Sequence, residues 1–190
     1  MAASAPQHKL NSAWALWYCP NITNEIMAAN KYKDRVVATK TETKVIDKIA
    51  SVEEMWAVFN SLPPVMKLPV GDWIFYFRDG LEPLWEDPAF KKGGQLVLKL
   101  DLQPTADKLL ATLLMAVLGE SISCHIGEAE VVGGLRYTRR EKLRDQFLKL
   151  EIWLTSHDMK EAVEKFVKEA AKDVGISNLD STDNCTYTKF

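Results

Sequence analysis

The chain lacks a strong charge of either sign, and that excludes the commonest class of nucleic-acid binder. Lys and Arg number 24 against 26 Asp and Glu, a formal net charge of -2 over 190 residues. Proteins that grip a phosphate backbone nonspecifically carry a strongly basic face. Any nucleic-acid contact here must therefore be local. Cysteine is also scarce: Cys19, Cys124 and Cys185 are odd in number and have no CxxC spacing. Neither a disulfide framework nor a zinc site is suggested, and three reduced thiols in a cytoplasmic or nuclear protein are the plain reading. No apolar run of 18 residues occurs, and the opening "MAASAPQHKL" has no apolar segment of the secretory kind, so no membrane partner is expected. Two glycosylation patterns, Asn21-Ile22-Thr23 and Asn184-Cys185-Thr186, are then read as chance. Histidine is sparse, and His8, His125 and His157 sit near no nucleophile motif. Walker, GxGxxG, HExxH and EF-hand patterns are absent. An enzyme is the least supported class, and neither a metal nor a cofactor is expected.

What the chain does have is apolar content. At 47% hydrophobic residues it can bury one good core. The expectation is a single domain over 1–190, with residues 1–10 flexible and 176–190 an irregular tail. Residues 13–18, "AWALWY", read as a strand, and 19–41 as a long polar loop. A second strand at 43–49 leads to "SVEEMWAVFN", where Ser51 and Glu54 form a capping box and Val52, Met55, Trp56 and Phe59 take helical spacing. Strands follow at 72–78 and 95–102, then a helix at 105–118 with Gly119 as its stop. Further strands are read at 128–132 and 147–154. A last helix over 156–174 pairs Glu161 with Lys165 and Glu164 with Lys168. The order β-β-α-β-β-α-β-β-α gives an α+β fold, a mainly antiparallel sheet with three helices on one face.

Two stretches invite chemistry. In "DGLEPLWEDPAFKKGG" (79–94) the turn residues Asp79-Gly80, Pro83, Pro88 and Gly93-Gly94 mark a loop, yet Trp85 stands there before Glu86-Asp87. In "GGLRYTRREKLRDQ" (133–146), five cations, Arg136, Arg139, Arg140, Lys142 and Arg144, face Glu141 and Asp145, a local +3. That segment is either a solvated loop or a small anion site with forked Arg contacts. An exposed indole favours a flat, cationic ring. A neighbouring carboxylate accepts two hydrogen bonds from an edge with two N–H donors, as guanine's Watson–Crick edge presents. An N7-methylated guanine nucleotide meets these demands if the basic segment takes its phosphates.

"AWALWY" (13–18), "SVEEMWAVFN" (51–60), "DGLEPLWEDPAFKKGG" (79–94), "LLMAVLGE" (113–120) and "LEIW" (150–153) come in the order and approximate spacing of eukaryotic translation initiation factor 4E. The chain resembles that mRNA cap-binding family over roughly residues 8–175. The resemblance implies a cupped antiparallel sheet backed by three helices, with 7-methylguanine sandwiched between two aromatics in its hollow. Trp85 matches one aromatic, Glu86 the acid that reads the guanine edge, and Trp153 the indole near the methyl group. Arg136 and Lys149 match the phosphate contacts, with Arg139, Arg140 or Arg144 as alternatives to Arg136. The second sandwiching Trp is missing from 19–41. Tyr32 is the aromatic there that can replace it, or else an ordinary loop residue. On the helical back, Val52, Trp56, Met115 and His8 match the surface where a 4G-type scaffold or a repressor docks a helix, although by spacing alone Trp56 reads as core. Trp14, Trp17 and Trp73 are read as structural. The expectation is a monomeric, non-enzymatic, cytoplasmic or nuclear cap-binding protein of translation initiation. A cap-binding repressor and an interaction module with weakened cap affinity are the alternatives.

Overall fold

The computed structural model describes residues 7–128, 130–143 and 145–190. Seven strands form one sheet: β1 (Lys9–Cys19), β2 (Lys44–Ser51), β3 (Trp73–Arg78), β4 (Gly94–Asp101), β5 (Val132–Lys142), β6 (Asp145–Leu154) and β7 (Cys185–Lys189). Their order is β2-β1-β3-β5-β6-β4-β7, and every neighbouring pair is antiparallel. Six α-helices are described: α1 (Asn24–Ala29), α2 (Arg35–Glu42), α3 (Val52–Ser61), α4 (Pro104–Leu118), α5 (Ser121–Ile126) and α6 (Lys160–Asp173).

Alternation along the strands sends residues to two distinct apolar clusters. Leu148, Leu150, Ile152 and Leu154 of β6 join Ile74 and Tyr76 of β3 and the buried faces of α3, α4 and α6 in the main core. The intervening residues of the same strands, Phe75, Phe77 and Trp153, point to the opposite face. There they meet Phe90 from the loop after β3 and Ala38 of α2. This second cluster is smaller than the main core. The sheet is thus backed by the three expected helices and by the short α5, whose Ile122 joins the main core, and it bears the short α1 and α2 on its other side.

Five expectations on element bounds need correction, the first being the strand read at 128–132, which is β5 and begins only at Val132. The polar loop at 19–41 holds α1 and α2, because Thr23 and Asp34 both accept hydrogen bonds from the backbone N–H groups of a first helical turn. The basic segment 133–146 is mostly the two arms of the β5–β6 hairpin. Its alternation was masked by charge: Leu135 and Tyr137 face the main core while Arg136 and Arg140 face the open side. The 176–190 tail is not irregular throughout, since β7 pairs with the edge that β4 leaves free, from Gly94↔Lys189 to Leu98↔Cys185. Within 1–10, Lys9 and Leu10 already belong to β1; residues 1–6 lie outside the described residues. No described helix is long and apolar enough to cross a membrane.

Candidate functional site

The 79–94 loop is shaped from within by Asp87. Its carboxylate accepts from the Glu82 N–H at 3.0 Å and from the Ala89 N–H at 2.9 Å, bracing both arms of the bend. Phe90, fully buried, anchors the loop to the second cluster, and the Gly93 N–H returns to the Phe90 carbonyl at 2.8 Å. A side chain at Gly93 would collide with the Leu154 carbonyl, so the close approach that ends the loop requires glycine there. With Asp87 and Phe90 turned inward, Trp85 and Glu86 turn outward. Trp85 is 62% exposed, which is rare for an indole and leaves its face available to a ligand.

Across from this loop stands α2. Val36, Thr39 and Lys40 line the same cavity as Trp85 and Glu86, a slot of about 330 Å³. Lys40 Nζ reaches Glu86 Oε1 at 3.2 Å, so one oxygen of the outward carboxylate already has a cationic partner. Trp153, Arg136 and Phe190 reach the slot from the sheet side. Tyr32 does not line it. Its hydroxyl donates to Glu42 Oε1 at 2.8 Å and its ring packs on the second cluster, which corrects its expected place opposite Trp85. The Tyr32 N–H bonds back to the Met27 carbonyl of α1, in the turn that follows that helix.

Beyond the slot the open face carries a layered charge cluster. Glu151 is fully buried and forms ion pairs with Arg136 and, at 2.7 Å, with Lys149. The indole N–H of Trp153 donates to Glu151 Oε2 at 3.2 Å. Burial favours the neutral acid, but the charges of Arg136 and Lys149 outweigh it and hold the Glu151 carboxyl below its usual range. The Arg136 guanidinium lies between two indoles, 4.5 Å from the Trp73 centroid and 4.7 Å from that of Trp153. The Arg140 guanidinium lies over the same Trp73 ring, 5.0 Å from its centroid, and burial lowers its pKa below the ordinary value. Three cations against one carboxylate leave a net +2 beside the slot, with Arg136 belonging to both. Arg139 is excluded, because it is directed to the other face, donating to the Met66 carbonyl at 2.7 Å and to Gln146 Oε1 at 2.7 Å. Arg144 lies outside the described residues.

A ring-sized slot with an exposed indole, an outward carboxylate and cations at one end suits a flat nucleotide base with attached phosphates. A family model described as eukaryotic initiation factor 4E matches residues 9–190. The chain belongs to that family. It is 33% identical over 172 residues to eukaryotic translation initiation factor 4E of Candida albicans, an alignment covering 88% of this chain and 73% of the relative. Against the Xenopus laevis factor it is 30% identical over 160 residues, covering 83% and 66%. The chain thus spans about two thirds to three quarters of the length of these relatives. Among solved structures, Ascaris suum eIF4E-3 in complex with an m2,2,7G cap superposes with a TM-score of 0.75 at 22% identity, covering 97% of this chain and 92% of that one. The complex of C. elegans eIF4E-3 with the 4E-binding protein Mextli and a cap analog gives 0.71 at 22% identity, covering 88% and 87%. These two likenesses establish the shared fold.

On the helical back of this 4E-family chain, the four residues expected at the second surface are all placed. Val52 opens α3 under the Ser51–Glu54 capping box. Trp56, half-buried, meets Phe59 edge-on with ring centroids 5.8 Å apart, so it is neither wholly core nor free. Met115 is exposed on α4. His8 precedes β1, accepts the Val52 N–H on its carbonyl at 2.9 Å, and holds Nδ1 2.7 Å from Glu53 Oε1. A larger cavity of about 510 Å³ lies further along this back, between the end of α3 and the start of α4. It lies on the face opposite Trp85 and Glu86.

Sequence reading missed Val36, Lys40, Trp73 and Phe190. Asp34 at an N-cap position before "RVVATKTE" was a usable signal for α2 and hence for Lys40. Trp73 alternates with Ile74, so its open-face orientation was also legible. Phe190 offered no local signal, since its position depends on the pairing of β7 with β4.

Proposed function

We propose that this chain binds the 7-methylguanosine cap of mRNA in the slot between α2 and the 79–94 loop, and that its helical back recruits a partner of translation initiation. The observation that carries the reading is the pair Trp85-Glu86: a largely exposed indole next to an outward carboxylate on one cavity, with Arg136 lining the same cavity. The methylated base is a delocalised cation, so its stacking on an indole gains an electrostatic component that unmethylated guanine lacks. Glu86 accepts hydrogen bonds from the N1–H and the 2-amino group and offsets the ring's charge. Its present partner, Lys40, is half-exposed and can swing into solvent as the base enters. Arg136, Lys149 and Arg140 form the path for the phosphate chain. Trp153 acts from beneath, holding Glu151 and bracing Arg136, and so fixes the cations from which phosphates gain their contacts.

Related structures of this fold contain a cap or cap analog together with a 4E-binding protein in the C. elegans case, which fits two separate surfaces. Here these are the slot and the back formed by Val52, Trp56, Met115 and His8, where a helix from a 4G-type scaffold or a repressor would dock. No catalytic step is assigned. Binding in the cytoplasm, where capped messages are translated, is the setting this function requires. The test is retention of the protein on immobilised 7-methyl-GTP. Elution by free 7-methyl-GTP but not by GTP supports the reading; absence of retention contradicts it and leaves an interaction module.

A further inference from the structure

Trp153 borders the slot but presents almost nothing to it, being only 2% exposed. Phe77, Phe90 and Phe190 enclose its indole with centroids at 5.3, 5.2 and 4.5 Å, and Arg136 lies on it at 4.7 Å. Of these rings, Phe190 alone also lines the slot. An entering base therefore meets Phe190 where it would otherwise meet Trp153. Tyr32, the aromatic expected opposite Trp85, is bonded to Glu42 and does not line the slot.

We propose that Phe190 is the second aromatic contact for the base, a specificity-determining residue of the slot. This rests on the cap-binding reading and adds to it the side chain that completes the aromatic surroundings of the ring. The position of Phe190 is built into the sheet. β7 pairs with β4 in full register up to Gly94↔Lys189, and Phe190 follows at once, its N–H directed to the Gly93 carbonyl at 3.5 Å. A side chain at Gly94 would run into the Thr188 carbonyl and the Tyr187 ring, so glycine there permits β7 to lie this close. The same Gly93-Gly94 pair thus ends the Trp85 loop and seats the strand that carries Phe190. The two aromatic contacts are coupled through one short stretch of backbone. Phe190 also packs edge-on against Phe90, with centroids 6.0 Å apart, which limits the ring to a narrow range of tilts.

A π face attracts a cationic ring more than a neutral one, so removing it should reduce discrimination as well as affinity. The experiment titrates wild type, Phe190→Leu, Phe190→Ala and Trp85→Ala with 7-methyl-GTP and with GTP, following intrinsic fluorescence, with thermal unfolding recorded for each. Phe190→Leu keeps apolar bulk over Trp153 and removes only the ring. We expect it to fold like wild type, to bind 7-methyl-GTP roughly 5- to 30-fold more weakly, the lower part of the range for a stacked base, and to lose GTP affinity less. Phe190→Ala should lose at least as much. Full affinity and unchanged discrimination in a folded Phe190→Leu overturn the inference, and so does a loss confined to Phe190→Ala, which would make Phe190 a packing residue only. The reading beneath it fails separately, if wild type shows no preference for 7-methyl-GTP or if Trp85→Ala binds like wild type.

Discussion

Replacing Glu151 by Gln removes a single charge from a site where three groups depend on it. The carboxylate is fully buried, paired with Arg136 and Lys149, and accepts the Trp153 indole N–H. Removing one partner of a buried ion pair destabilises by about 3–5 kcal/mol, mainly through the unpaired charge that remains. Here Arg136 and Lys149 keep 22% and 33% of their side-chain exposure, and both can turn further into water. Gln also retains an acceptor for the indole. The expected loss is then about 2–3 kcal/mol. For a chain of 190 residues that lowers Tm by roughly 4–12 °C. The pH dependence gives a sharper signature. The Glu151 carboxyl is held below its ordinary range in the folded protein, so its contribution is complete above the unfolded carboxylate value, about 4.3, and is lost as pH falls through the lower folded value. The Gln variant has no such titration. Thermal unfolding of both proteins should show the full gap at pH 7 and a narrowing gap as the pH is lowered below about 4. No gap at pH 7, or an equal gap at pH 7 and pH 3, refutes the assignment of Glu151 as the charge that holds the two cations.

Two further outcomes are expected. Lys40→Met removes the cation that competes for Glu86 while keeping side-chain length, so affinity for 7-methyl-GTP should rise about two- to fivefold, as befits a half-exposed pair; a weaker titration would show that Lys40 contacts the ligand instead. Trp56→Ala removes a half-buried ring from α3 on the face opposite the slot. A fluorescence-anisotropy titration with a helical peptide of a 4E-binding protein should weaken by about 30-fold or more, as for an interface hot spot, with 7-methyl-GTP affinity within about twofold of wild type. Full peptide binding, or a parallel loss of nucleotide affinity, contradicts two separate surfaces.

The parts of this molecule legible in the sequence are those set by local chemistry. The capping box at Ser51 and Glu54, the alternation of "FLKLEIWL" and the glycine stop after α4 each specify an element from neighbouring residues, and each element stands where expected within a few positions. The Trp85 loop was legible for the same reason: its turn residues are adjacent in sequence, and an indole among them conflicts with the local pattern. What could not be read is what depends on pairing at a distance. Tyr32 is the aromatic of the 19–41 segment, yet it is bonded to Glu42 and does not line the slot. Phe190 lies 105 positions beyond Trp85 and reaches the same cavity only because β7 takes the edge of β4. The basic segment misled for a different reason. Its charges imply solvent, but the open face of a sheet is solvent on one side, and a strand can carry Arg136 and Arg140 there while Leu135 and Tyr137 enter the core.

The central claim is that Trp85 and Glu86 together read a methylated guanine. Its most direct test is the ratio of dissociation constants for GTP and 7-methyl-GTP, measured by calorimetry on wild type, Trp85→Ala and Glu86→Gln. Wild type should favour 7-methyl-GTP by at least about tenfold, the contribution of one cation–π contact and a charge-assisted pair, and both variants should lose detectable binding. Equal affinity of wild type for the two nucleotides, or wild-type binding in both variants, would contradict the account.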